Sequence, residues 1–188
     1  MSYGTLPSKM LHAVDTSPTP RAQMFRTSRV SGLVLANPER SSWQNTSSEE
    51  FLRRTAGLSQ ALFELGVKPG DRVGLFCANR PEWHTADFAI NGNGAVTVPV
   101  YFKESADRMA YILNHAETRV VFLAGSEQLV ALLAVRDQLP HLEHIVVADA
   151  GGQLPSDCLR YETLIASAGG GEVAAYRMRV AQVLPGQL

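Results

Sequence analysis

The chain has 188 residues, 45% of them hydrophobic and 19% charged, the composition of one ordinary globular domain large enough to bury a core. Its 17 basic and 18 acidic side chains leave a net charge of −1, so overall electrostatics give no case for nucleic-acid or anionic-membrane binding. No apolar run approaches the roughly 18–20 residues that span a bilayer, no secretory leader pattern is visible, and the isolated Cys77 and Cys158 suggest neither a zinc site nor a disulfide framework. A reduced, cytoplasmic protein is expected.

In chain order, residues 1–40 carry five basic and two acidic side chains with Pro7, Pro18, Pro20 and Pro38 and no sustained periodicity; they read as an extended arm with at most a short helix. Thr46 and Ser47 each precede a glutamate by three residues, the capping-box spacing, and Phe51, Leu58, Ala61, Leu62 and Leu65 then share a helical face. Gly66 and Pro69 end that helix, and the turn at Lys68-Pro69-Gly70-Asp71 leads into a strand over 72–77. Asn79 is the expected cap of the next helix, which carries Trp83, Ala86, Ala89 and Ile90, and Ala95 to Val100 reads as a buried strand. Ser105 and Ser126 are the expected caps of two further helices, separated by a strand over 119–124 and followed by one over 145–148. Beyond Asp149 only a helix near 161–168 is expected, with Gly169-Gly170-Gly171 as a flexible linker.

Strand starts at 72, 95, 119 and 145 are spaced by 23, 24 and 26 residues, each interval holding one helix and two short loops. That is the dimension of a βαβ crossover, so the fold class is α/β, a mainly parallel sheet with helices on both faces. The domains read as an arm (1–40), an α/β subdomain (41–168) and a linker or tail (169–188).

A parallel sheet of this kind takes ligands beyond the carboxyl ends of its strands. Gly92-Asn93-Gly94 follows a helix and precedes a strand, the reverse of a dinucleotide fingerprint, and the glycine run at 169–171 has no following Lys-Ser/Thr. No nucleophile elbow is present; His141 and His144 lack a third ligand nearby, and Cys77 at a strand end reads as a small core residue. Trp83, Tyr101, Phe102 and Tyr111 are aromatic, and Tyr101 and Phe102 directly follow a strand's carboxyl end, so they are candidates to line an apolar ligand pocket beside the alternative of core packing. No residue is assigned as catalytic, cofactor-binding or metal-binding.

Taken in order, Gly66-Val67-Lys68-Pro69-Gly70-Asp71-Arg72-Val73, Asn79-Arg80-Pro81-Glu82-Trp83, Asp87, Gly94-Ala95-Val96, Val98-Pro99-Val100-Tyr101 and Tyr111-Ile112-Leu113 resemble the N-terminal part of adenylate-forming acyl-CoA synthetases. The Asn-Arg-Pro-Glu-Trp and Val-Pro-Val-Tyr stretches are most similar to the long-chain fatty-acid CoA ligase branch; Lys103 departs from the small hydroxyl residue expected after them. The resemblance implies a parent enzyme using a fatty acid, ATP with Mg²⁺ and coenzyme A. It also implies that this chain is an N-terminal fragment, inactive alone, with the phosphate loop expected beyond Leu188 and Trp83, Tyr101 and Phe102 as a candidate wall of the acyl site. No lysine here matches a catalytic context of that family. Peripheral membrane association of the parent and a homo-oligomer stay open, as do two readings from other classes: a stand-alone α/β ligand-binding module, and an assembly element whose arm docks on a partner subunit.

Overall fold

The computed structural model describes residues 4–27, 29–30, 33–34, 42–166 and 168–186. In chain order the elements are α1 (Leu6–Thr16), β1 (Gln23–Thr27), β2 (Arg29–Val30), β3 (Leu33–Val34), β4 (Ser42–Thr46), α2 (Ser48–Glu64), β5 (Arg72–Phe76), α3 (Pro81–Gly92) and β6 (Val96–Val100). There follow α4 (Ala106–His115), β7 (Val120–Gly125), α5 (Ser126–Leu133), a 3₁₀ turn (Arg136–Gln138), β8 (His144–Asp149), β9 (Cys158–Arg160), α6 (Tyr161–Ala166) and α7 (Gly170–Gln182).

Five strands form one parallel sheet in the order β6-β5-β7-β8-β9. The apolar runs of β5, β7 and β8 explain their central place, because a strand covered on both faces needs apolar side chains at every position. Alternation then sorts them. Val73, Leu75, Val120, Phe122 and Val146 pack under α2, α3 and α6, whereas Phe76, Val121, Leu123, Ile145 and Val147 pack under α4 and α5. The expected α/β class with helices on both faces is what the chain adopts. Ser47 caps α2 by accepting from the Glu50 N–H at 3.1 Å, Ser105 accepts from the Arg108 N–H at 3.3 Å, and Gly66 ends α2 with φ +80°.

Several local expectations are corrected. Residues 1–40 are not simply an extended arm: α1 is an 11-residue helix capped by Thr5, and it buries Met10 and Leu11 against Phe51, Leu52, Tyr176 and Val180. Pro7 does not oppose it, because a proline in the first turn gives up an N–H that has no intrahelical acceptor. β1 pairs antiparallel with β4, while residues 28, 31–32 and 35–41 of that segment lie outside the described ones. Residues 169–188, read as a linker, instead contain α7, whose Glu172 carboxylate accepts from the Gly169 N–H at 2.8 Å and so closes the helix start. A fifth strand, β9, for which three residues give no periodic signal, extends the sheet beside β8.

Three corrections bear on helix starts and sheet position. β6 is an edge strand and only Val100 in it is buried; Pro99, which has no N–H for a ladder, suits that edge. The cap position of α3 is Arg80 and not Asn79, since Pro81 fixes the first helical residue one place later than the Asn-to-Glu spacing implied. Likewise Gly125, not Ser126, holds the cap position of α5.

Candidate functional site

β5 and β6 run side by side and end at the same edge of the sheet, so the residues that follow them meet there. After β5 the chain passes through Cys77, Ala78 and Asn79 and enters α3, whose first turn carries Trp83; after β6 come Tyr101 and Phe102. These segments line an open recess of 680 Å³ whose wall includes Trp83, Tyr101 and Phe102 together with Cys77, Asn79 and Val100. The three aromatics singled out in the sequence are thus brought to one place. Tyr101 is 60% exposed, its ring 5.0 Å from that of Phe102 and inclined at 62°, and the Lys103 ammonium lies 5.5 Å over the Phe102 ring. Tyr111 is not part of this wall: it is exposed on α4, stacked on His115 at 5.8 Å.

One side chain bridges strand ends beyond this recess. Arg80 donates from Nη1 to the Ala124 carbonyl at 3.2 Å, holds Glu82 through Nε at 3.2 Å, and reaches Asp149 at 3.9 Å. Ala124 lies in β7 and Asp149 ends β8, so the guanidinium spans the crevice between β5 and β7, where successive crossovers leave in opposite directions and doubly wound sheets usually take a ligand. Sequence reasoning missed this role; Asn-Arg-Pro-Glu carried a capping signal and part of the family resemblance, but the carbonyl that Arg80 finds is 44 positions away. On the other flank of Asn79 to Pro81 is a second recess of 480 Å³, between β1 and the helices, with Phe51, Arg80, His84 and Phe88 in its wall.

Burial pushes the Cys77 thiol up to about 11, so at neutral pH it is protonated and unreactive, and burial does the same to Cys158. Among the described residues no group of three His, Cys, Asp or Glu side chains is disposed to hold a metal ion; His141 is exposed and His144 only half-buried. What the edge offers is an apolar, aromatic-walled recess with a few polar groups at its rim.

Comparison with known proteins adds to this geometry. A family model described as AMP-binding enzyme matches residues 25–178. The chain is 34% identical over 154 residues to long chain acyl-CoA synthetase 7, peroxisomal, of Arabidopsis thaliana, covering 81% of this chain and 21% of that protein. It is 37% identical over 117 residues to a long-chain-fatty-acid–CoA ligase of Thermus thermophilus (62% of this chain, 21% of the relative). Against the long-chain-fatty-acid–CoA ligase FadD15 of Mycobacterium tuberculosis the figures are 32% over 110 residues, 58% and 18%. The chain therefore spans about a fifth of the length of these relatives. Among solved structures, the anthranilate CoA ligase AuaEII in complex with anthranoyl-AMP superposes with a TM-score of 0.62 at 29% identity, covering 66% of this chain and 24% of that one. A benzoate CoA ligase from Burkholderia xenovorans shares the fold, with a TM-score of 0.57 at 22% identity over 66% of this chain and 24% of its own.

Proposed function

Because the chain belongs to the AMP-binding enzyme family, we propose that it forms the N-terminal α/β part of a long-chain fatty-acid–CoA ligase and supplies one wall of the acyl site. The observation that carries this reading is the meeting of Trp83, Tyr101 and Phe102 around one recess at the carboxyl edge of the sheet. Similarity to long-chain ligases of Arabidopsis, Thermus and Mycobacterium supports the substrate class.

In the proposed reaction a fatty-acid carboxylate oxygen attacks the α-phosphorus of ATP, the bond to the β-phosphate breaks, and pyrophosphate leaves an acyl-adenylate. The coenzyme A thiolate then attacks the acyl carbonyl carbon, forming the thioester as AMP departs with the bonding electron pair. This chain's part is binding and exclusion of water: the aromatic faces take the acyl stem, and Arg80, tied to Ala124, Glu82 and Asp149, holds the strand ends that carry the wall. The magnesium that accompanies ATP is assigned to no residue here; among the described residues no group of three His, Cys, Asp or Glu side chains is gathered to hold a metal ion. The proposal includes a cytoplasmic location; no described helix is long and apolar enough to cross a membrane.

ATP–pyrophosphate exchange with palmitate is expected to be absent for the 188-residue chain alone, and robust exchange would overturn the scaffold reading. Palmitate titrated into the same chain should shift the amide resonances of Ala78 and Phe102, and Phe102→Ala should weaken that response about tenfold, as loss of one aromatic contact to an acyl stem implies.

A further inference from the structure

At the amino edge of the sheet, opposite the acyl-site wall, a smaller cavity of 210 Å³ lies where α2, α7 and the turns before β5 and β6 meet. Its walls are apolar through Phe63, Val67, Pro69 and Val183, and its two charged residues, Lys68 and Arg179, are both cations. Arg53, Arg54, Arg72, Arg80, Arg119 and Arg177 each face a carboxylate within 4 Å. Arg136 and Arg160 donate to backbone carbonyls, and Arg179, likewise without a carboxylate partner among the described residues, differs from them in keeping one guanidinium nitrogen buried and unbonded. Among the described residues the contacts of Arg179 are neutral: Nε donates to the Ser59 hydroxyl at 3.2 Å, Nη1 to the Gln60 side-chain carbonyl at 3.0 Å, and the Phe63 ring lies 5.5 Å from the guanidinium carbon. Its third nitrogen, Nη2, is shut off from solvent and has no acceptor. Ser59 and Asn93 are neutral and bond each other, the Ser59 hydroxyl donating to Asn93 Oδ1 at 2.7 Å and Asn93 Nδ2 to the Ser59 backbone carbonyl at 2.9 Å. The nearby acids are committed elsewhere, Glu64 to Gln60 and Asp71 to Arg119 and the Lys68 N–H.

A partly desolvated cation without a counter-ion is costly, and burial holds the Arg179 guanidinium below its ordinary pKa. We propose that this cavity binds a small carboxylate on an aliphatic stem, the stem lying against Val67, Pro69 and Val183 and the carboxylate serving as the counter-ion of Arg179 with Lys68 at the mouth. Binding would move the Phe63 ring, which is 58% exposed and lies 5.5 Å from the guanidinium carbon, outward so that the incoming oxygen reaches Nη2. The size fits a chain of a few carbons, below the usual span of drug-sized sites of roughly 300–1,000 Å³. This site stands independently of the acyl-site reading, being at the other end of the strands.

The test is a ¹H–¹⁵N resonance titration of the whole chain with sodium hexanoate, sodium acetate and hexanamide. Hexanoate should give saturable shifts at Val67, Gly94 and Val183, whereas acetate, lacking the stem, and hexanamide, lacking the charge, should bind about tenfold more weakly or not at all. Lys68→Gln and Arg179→Gln should each weaken hexanoate binding, the latter about tenfold. Absence of saturable shifts at those three amides, equal binding of hexanamide, or shifts confined to Ala78 and Phe102 would overturn the proposal. The hexanamide comparison is made on the unaltered chain and decides the matter even where a variant does not fold.

Discussion

Gly92, on the last turn of α3, faces the ring of Tyr176 so closely that a Cβ there would stand 2.2 Å from Cε2 and 2.8 Å from Cζ. Tyr176 cannot yield easily: it is fully buried, and its hydroxyl donates to the Phe88 carbonyl at 2.9 Å. Gly92→Ala sets two effects against each other, a helix-propensity gain of about 1 kcal/mol and an overpacking cost of up to about 3 kcal/mol. The immobile ring decides the sign, so the variant should be less stable by about 2 kcal/mol in urea titration; an equally stable variant would show that α7 can shift. The same contact illustrates what sequence leaves unread. Gly92-Asn93-Gly94 was legible as a helix-to-strand turn, and Gly94 has φ +70°, but the need for a missing side chain at Gly92 arises from a residue 84 positions later in sequence.

Among elements, those most legible in sequence are the ones whose residues are dictated by local chemistry. β5, β7 and β8 are runs of apolar, often β-branched residues between turn signals, and α2 announces itself by Ser47, Glu50 and Gly66. β9 has three residues, too few for any period to register, and its pairing depends on β8 being already in place. α7 was hidden by its glycine-rich start and by a buried face narrowed mainly to Tyr176 and Val180. Of the candidate site, the aromatic wall was legible because Tyr101 and Phe102 abut a strand end; the Arg80 bridge was not, since its carbonyl acceptor is remote in sequence. α7 is nonetheless integral, with Tyr176 at the centre of the third apolar cluster. Tyr176→Ala should cost about 3–5 kcal/mol, the range for a buried large aromatic; a midpoint of chemical denaturation within error of the unaltered chain would mean that α7 docks only loosely.

At the scale of the whole molecule, stability responds to acid through an ion pair within α2 whose arginine also reaches the end of α6. Arg53 holds the Glu50 carboxylate at 2.7 Å and also donates to the carbonyls of Ile165 and Ala168 at the end of α6, so α2 and α6 share one guanidinium. The Arg53 hydrogen bond, reinforced by Arg54, pulls the Glu50 carboxyl from 4.5 down to about 2. A lowered folded-state value stabilises the native state above the unfolded-state value and is lost as protons bind, so this contribution is full above about pH 4.5 and disappears as pH falls toward about 2. Glu50 is a third exposed, and solvent screening keeps the effect modest. Glu50→Gln should therefore lower the thermal midpoint at pH 7 and flatten its dependence between pH 4.5 and 2; an unchanged slope would remove Glu50 as a source of acid sensitivity.

The third cluster joins helices from opposite ends of the chain: Met10 and Leu11 of α1 lie with Tyr176 and Val180 of α7, and Asp15 pairs with Arg177 at 2.6 Å across 162 positions. A ribosome makes α1 first and α7 more than 150 residues later. During that interval the strands and helices through α6 have all their residues, while the apolar face of α1 still lacks Tyr176 and Val180. The apolar face of α1 is thus fully covered only once α7 has been made, and nascent chains halted before residue 170 should present Met10 and Leu11 to chaperones.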